Sequence, residues 1–246
     1  MSVQDFMPAL LLLPLSFAFS IGAILVFLLI RRARNRVRLP PDSGLNSGLS
    51  FPSFSMRRPG CWLAIKSQNL LAVQTALGLH NPKPCSWMDG FEEKMFIAPP
   101  VKGWILVFGS GLPEPSEDVD VCFRFLLNLS RKLGQVQLFS ASRILHHHAW
   151  VRTDGGRIVR AYAWAGRTLW NQGRLTAAER DLDLKCFEYN EPGSQAGFGQ
   201  PEGVAGNVDK LPLLAARWSL DPAHIEERFV EHGRGVAGEP SGRYWA

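Results

Sequence analysis

The chain has 246 residues, of which 46% are apolar, and a formal net charge of +5. This length suits one sizeable domain with an accessory segment, and the composition excludes collagen-like and wholly disordered chains. The excess positive charge lies in residues 1 to 58, because residues 59 to 246 hold 20 of the 27 basic and 20 of the 22 acidic side chains. A neutral globular part gives no support to a nucleic-acid partner, and we predict none.

The first predicted element is a membrane-spanning helix over residues 7 to 30, which contain no ionisable side chain. At ~1.5 Å per residue, a helix of this length reaches about 36 Å and exceeds the ~30 Å hydrocarbon core of a bilayer. No Lys or Arg precedes the run, so we expect an uncleaved signal-anchor rather than a removed signal peptide. A buried core helix is the alternative, but a helix that is apolar on all sides has no face to show to water.

Basic residues after the apolar run predict the orientation of this helix. They are Arg31, Arg32, Arg34, Arg36 and Arg38. Because Lys and Arg near the end of a span stay on the cytoplasmic side, we expect residues 1 to 6 outside and the body of the chain inside. These arginines also suit contact with anionic lipid headgroups. Residues 31 to 58 are predicted to form this basic juxtamembrane segment and a flexible tether rich in Pro, Ser, Gly and Asn.

Residues 59 to 190 have the pattern of an α+β domain. Short apolar runs over 61–65, 94–98, 103–109 and 135–139 are typical of strands. Two predicted helices separate them, one over 69–79 and one that begins with Ser116 as N-cap and ends at Gly134. The order strand, helix, strand, strand, helix, strand is that of a ferredoxin-like unit, although other α+β topologies share it.

A β-hairpin over 146–165 is predicted to extend the sheet. If Asp154 and Gly155 form a two-residue type I′ loop, His146 pairs with Ala163, His147 with Tyr162 and His148 with Ala161. We therefore expect a mainly antiparallel sheet, two or more packing helices and an added hairpin.

The last part of the chain is predicted to contain a Gly-rich loop over 191–206 and a helical segment and tail over 207–246. Two short helices are expected there, over 210–218 and over 221–229, the second with Asp221 as N-cap and Pro222 in its first turn.

Three adjacent histidines raise the question of a metal site. His146 and His148 lie two residues apart on one predicted strand and share a face with Trp150, whereas His147 points the other way. Such a pair can ligate zinc, but no Asp, Glu or Cys lies nearby in sequence as a third ligand. Hydrogen-bonded or surface histidines and a proton-transfer role are the alternatives. We predict no cofactor, with zinc at His146 and His148 as the competing interpretation.

Aromatic and arginine side chains are concentrated in residues 160 to 170. The candidates for a partner-binding surface are Arg160, Tyr162, Trp164, Arg167 and Trp170. Such residues are common in binding hot spots. The competing interpretation is that strand aromatics pack against the helices of the domain.

No catalytic residue is predicted. The four cysteines form no CxxC pair, and Cys122 lies in the apolar stripe of a helix, which indicates a core thiol. A helix start at Thr176 places Asp181 and Asp183 on a solvated face. No phosphate-binding glycine motif is present, and local motifs indicate no Ser-His-Asp set.

These patterns predict a single-pass membrane-anchored protein whose cytoplasmic α+β domain binds a protein partner. The binding surface is expected on the aromatic and Arg-bearing sheet or on the C-terminal helices. The alternative is a membrane-tethered enzyme, such as a metal-dependent hydrolase that uses His146 and His148.

The orientation can be tested by removing the charges that determine it. Replacing all five arginines between residues 31 and 38 with Gln removes the bias in Lys and Arg across the span, so we expect a mixture of orientations. Protease added outside intact cells should spare the body of the unaltered chain and digest a substantial fraction of the variant. Digestion of the unaltered body would contradict the predicted orientation.

Overall fold

The computed structural model describes residues 59–145, 147–190, 204–220 and 234–241. The chain divides into two units, Met1–Phe54 and Ser55–Ala246, and every described residue belongs to the second. The predicted membrane-spanning helix, the tether, His146 and the predicted helix over 221–229 lie outside the described residues. Within the described ranges, no helix is both long enough and apolar enough to cross a membrane.

The described residues form one antiparallel sheet of nine strands. Its strands are β1 Cys61–Lys66, β2 Leu79–Cys85, β3 Met95–Ile97, β4 Trp104–Phe108, β5 Val136–Ser142, β6 His147–Asp154, β7 Arg157–Ala165, β8 Thr168–Gln172 and β9 Gly235–Pro240. They lie in the order β2-β9-β3-β4-β1-β5-β6-β7-β8, and each neighbouring pair is antiparallel.

Helices cover both faces of this sheet. They are α1 Leu70–Leu77, α2 Trp87–Gly90, α3 Val119–Leu133, α4 Ala177–Asp181 and α5 Val204–Trp218. The buried residues of α1 and α3 pack with one face of the sheet, and those of α2 and α5 pack with the other. The predicted α+β class with a mainly antiparallel sheet is therefore confirmed.

The alternation of side chains along the strands gives the two faces different chemistry. The face under α1 and α3 is mainly aliphatic, with Leu63 and Leu138 in its core. The opposite face, under α5, is aromatic and includes Trp62, Phe139 and Trp150. Polar side chains on the aromatic face must therefore find partners inside the protein.

The predicted helix over 69–79 is confirmed as α1. The Asn69 side chain caps it by accepting a hydrogen bond from the Ala72 N–H at 3.0 Å, and it ends at Gly78, whose φ is 60°.

The predicted start of α3 at Ser116 is wrong. Asp118 is the N-cap, and its side chain accepts a hydrogen bond from the Val121 N–H at 2.9 Å. The residues before it form a separate turn, in which the Glu114 carbonyl accepts from the Glu117 N–H at 3.0 Å.

The predicted hairpin is confirmed, but its loop and register are wrong. The loop is Gly155–Gly156, with φ of 54° and 77°, because two glycines adopt the positive φ of such a turn more readily than Asp and Gly do. A bulge between Arg152 and Thr153 shifts the pairing by one further residue. As a result, His148 faces Trp164 instead of Ala161, and His147 faces Ala165 instead of Tyr162.

Strands β2, β8 and β9 and the length of α5 were not predicted. Strand β9 lies between β2 and β3 although it comes last in the described chain. A Cβ at Gly235 would collide with the Phe96 ring, so a glycine is required where β9 passes over it. Helix α5 begins at Val204, inside the segment predicted as a loop, because burial of Leu211 and Leu214 on the sheet outweighs the weak helix propensity of Gly206 and Asn207.

Candidate functional site

Strand β6 places His148 on the aromatic face of the sheet together with Trp150, as the alternation predicted. The imidazole lies between the rings of Trp150 and Trp164, with centroid distances of 5.6 Å to each and interplanar angles of 13° and 16°. Only 2% of His148 is exposed. A side chain enclosed in this way is part of the interior.

A hydrogen bond joins His148 to helix α5. Its Nε2 atom lies 3.1 Å from Nδ2 of Asn207. The Asn207 amide is oriented by Lys185, whose backbone N–H donates to Oδ1 at 2.9 Å and whose carbonyl accepts from Nδ2 at 2.7 Å. The amide therefore donates to His148, and Nε2 is an acceptor in a neutral ring.

Burial, and then repulsion from the neighbouring His147, lowers the pKa of His148 from its ordinary value of 6.5 to about 3. The ring is neutral at physiological pH, and its free lone pair is already used by Asn207. No group of three His, Cys, Asp or Glu side chains in the described ranges could hold a metal ion. The predicted partner ligand His146 is outside those ranges, so zinc at this pair stays a prediction.

His147 lies on the other face, as predicted, and contacts Glu114. Its Nε2 atom is 3.2 Å from Glu114 Oε2, which also accepts from the hydroxyl groups of Ser140 at 3.2 Å and Ser116 at 3.4 Å. The His147 hydrogen bond is the main cause of a lowered pKa for Glu114, against the opposing effect of burial. The Ser140 hydroxyl donates to the carboxylate and not to a histidine nitrogen, which differs from the serine–histidine contact of an activated serine nucleophile.

The thiols of Cys61 and Cys122, near these clusters, are buried and held in the neutral form. Burial, and then repulsion from Glu114, raises the pKa of Cys61 well above its usual value. Burial also raises the pKa of Cys122, which is fully enclosed on α3, and the predicted core role of Cys122 is confirmed. A neutral buried thiol is a poor nucleophile.

Arg160 of β7 is the centre of a buried polar network. Its side chain is 1% exposed and pairs with the fully buried Glu179 of α4, with 2.8 Å between Nε and Oε1. The Arg160 Nη1 group also donates to Asn171 Oδ1 at 2.7 Å and to the Gln172 carbonyl at 3.1 Å, and Nη2 donates to Cys186 Sγ at 3.3 Å. One guanidinium thus joins β7, β8, α4 and the segment that follows α4.

Glu179 is satisfied by several donors besides Arg160. Its Oε1 accepts from the Trp150 indole N–H at 2.7 Å, and its Oε2 accepts from the backbone and hydroxyl of Thr176 at 2.7 and 2.8 Å. Thr176 and Glu179 form a capping box at the start of α4, which confirms the predicted helix start. The spacing Thr-x-x-Glu is the signal in the sequence from which the position of Glu179 was predictable.

The structure places most of the predicted partner-binding residues in the interior. Arg160, Tyr162, Trp164 and Trp170 are each 5% exposed or less, and Arg167 alone of the five is exposed. The hydroxyl of Tyr162 accepts from Phe187 N–H at 3.0 Å, and burial raises the Tyr162 pKa to about 12. These four side chains therefore contact the chain itself, and a partner-binding role for the set stays a prediction.

Among the surface cavities of the described domain, two are considered as candidate sites. One, of about 730 Å³, lies between α1 and β2 and is lined by Leu71, Gln74, Leu79, His80 and Pro82 among others. We call it the α1–β2 groove. The other, of about 310 Å³, lies between the start of β1, the end of β5 and α5.

Comparison with protein-family models, with curated proteins and with solved structures finds no match for this chain.

The buried pair can be tested with matched amide substitutions on one short helix. Glu179→Gln leaves the Arg160 charge buried without its counter-ion, so we expect a loss of about 3 to 5 kcal/mol in the free energy of unfolding. Asp181→Asn removes an exposed pair with Arg217 and should cost less than about 1 kcal/mol. Denaturant unfolding measures both, and equal losses would contradict the role given to Glu179.

The buried state of His148 predicts a specific dependence of stability on pH. The folded pKa is below the unfolded value, so the unfolded chain binds the extra proton and stability falls as pH drops below about 6.5, by about 2 kcal/mol at pH 5. His148→Phe keeps an aromatic ring between the two tryptophans and removes this titration. We expect the variant to lose less stability than the unaltered chain between pH 7 and 5 in thermal unfolding. Parallel curves would show that His148 is not held neutral.

Proposed function

We propose that this chain is a single-pass membrane protein whose α+β domain binds a protein partner on the cytoplasmic side. The anchor is residues 7 to 30, and its support is the uninterrupted apolar run with the arginines that follow it. The observation that carries the binding proposal is the α1–β2 groove.

The groove has the chemistry of a recognition site. Its volume of about 730 Å³ lies within the ~300 to 1,000 Å³ that is common for small-molecule pockets, which is room enough for side chains of a partner. Leu71, 69% exposed, supplies an apolar contact at its border, together with Leu79 and Pro82. Gln74 and His80 add polar groups. Apolar contact area combined with a few polar groups is typical of protein interfaces.

The neighbouring edge of the sheet favours recognition through side chains. Strand β2 is outermost in the sheet, but Pro82 and Pro84 have no N–H to donate and the pairing of β2 with β9 shifts register between His80 and Lys83. Asn81 in addition has a positive φ of 50°. Such features obstruct the addition of another strand. We therefore expect the partner to place a helix or loop in the groove.

We also propose that the centre of the domain is a ferredoxin-like unit built from β1, α1, β3, β4, α3 and β5. The support is the strand order β3-β4-β1-β5 together with the packing of α1 and α3 on one sheet face. Strands β6 to β8 extend this unit on one side, and β9 and β2 extend it on the other. The groove then lies on the added β2 side.

The alternative function, a tethered metal-dependent hydrolase that uses His146 and His148, gains no third ligand from the described residues. The available nitrogen of His148 is also engaged by Asn207.

Site-specific cross-linking tests partner binding. A photo-reactive residue in place of Gln74, in the full chain within its native membrane, should give one protein adduct of defined mass. The same residue in place of Arg124, exposed on α3, is the control and should not give that adduct. Leu71→Glu should lower the adduct at position 74 by about tenfold or more, as for an interface hot spot. An adduct that is equal at both positions, or that is insensitive to Leu71→Glu, would contradict the proposal.

A further inference from the structure

The turn between β5 and β6 has an apolar tip that no described contact explains. Ile144 and Leu145 are 89% and 70% exposed, which makes them the most exposed of the large hydrophobic side chains in the described domain. The turn is ordered by a hydrogen bond from Leu145 N–H to the Ser142 hydroxyl at 3.1 Å. Two adjacent aliphatic side chains held in water on a defined turn indicate an interaction site.

The position of this turn relates it to the membrane segment. The carbonyl of Gly60 accepts a hydrogen bond from Ala141 N–H at 2.8 Å, and Pro59 and Arg143 line the same cavity of about 310 Å³. The point at which the tether enters the domain and the apolar tip therefore lie at the same end of the sheet. The other end of β6 carries the Gly155–Gly156 turn.

We propose that this tip inserts into the interfacial region of the bilayer that anchors the chain, an inference that rests on the anchor in the proposed function. If residues 39 to 58 form the flexible tether that the sequence predicts, its root-mean-square length would be about 25 Å. Pro59 then stays near the bilayer, and the tether gives the tip a high effective concentration at the membrane surface. Insertion of two apolar side chains, which would be too weak to hold a free domain on a bilayer, then suffices for contact.

The shape and charge of the tip favour lipid over a protein partner. The tip is a convex turn rather than a groove, and a fluid acyl boundary accepts such a shape without a matching cavity. Arg143 beside it pairs with Asp209 of α5, so the local charge is largely offset. We therefore expect the apolar residues to supply the contact, with little dependence on anionic lipid.

The test uses the full chain reconstituted in vesicles of phosphatidylcholine, with and without phosphatidylserine. Photo-reactive benzoylphenylalanine replaces Leu145 in one variant and Arg157, at the opposite end of the hairpin, in a control. We expect at least about ten times more lipid adduct at 145 than at 157 by mass spectrometry, in both vesicle types. Adding Ile144→Asp should reduce the adduct at 145 severalfold, and its high exposure leaves the fold unaffected.

Flotation of the vesicles after treatment with alkaline carbonate tests the membrane anchor separately from insertion of the tip. A chain that floats with the vesicles but gives no more lipid adduct at 145 than at 157 overturns the inference and leaves the anchor in place. A protein adduct at 145 in place of lipid also overturns it. A chain that does not float with the vesicles overturns both.

Discussion

The buried ion pair between Arg160 and Glu179 is the interaction on which the aromatic half of the domain depends. Neither charge is accessible to water, so each must be matched inside the protein. The two side chains achieve this through hydrogen bonds with the Trp150 indole, the Asn171 amide and the backbone carbonyls of Ala161 on β7 and Gln172 on β8. The same contacts hold α4 against β7 and β8. Replacing either partner alone would leave a buried charge, which is why the pair acts as a unit.

The His148–Asn207 hydrogen bond likewise satisfies buried polar groups, and it joins the sheet to helix α5. Asn207 satisfies His148 on the sheet and both backbone groups of Lys185, so one amide joins three segments of the chain. The histidine and aromatic residues that suggested chemistry in the sequence are thus used to hold the domain together. The α1–β2 groove and the apolar tip of the β5–β6 turn are accessible on the described domain. They lie at different places on the surface and suit different partners.

Parts of the candidate site were predictable because they depend on local geometry. The opposite orientation of His147 and His148 follows from the two-residue period of a strand, and it is confirmed. The predicted cross-strand pairing was wrong because it depends on the position of the loop and on a bulge after Arg152. No short sequence motif predicts that bulge. Glu179 had a usable signal in its capping box with Thr176. Asn207 had none, since its role arises only where α5 crosses the sheet.

The sequence by itself determined the α+β class, most of the central strands and the positions of α1 and α3. Hydrophobic period and helix caps act over a few residues and can be read locally. Tertiary structure alone decided the insertion of β9 between β2 and β3, the register of the hairpin, and the burial of Arg160. Each of these joins residues far apart in the chain, and the free energy that selects them comes from packing and from satisfying buried polar groups, which a linear pattern does not encode.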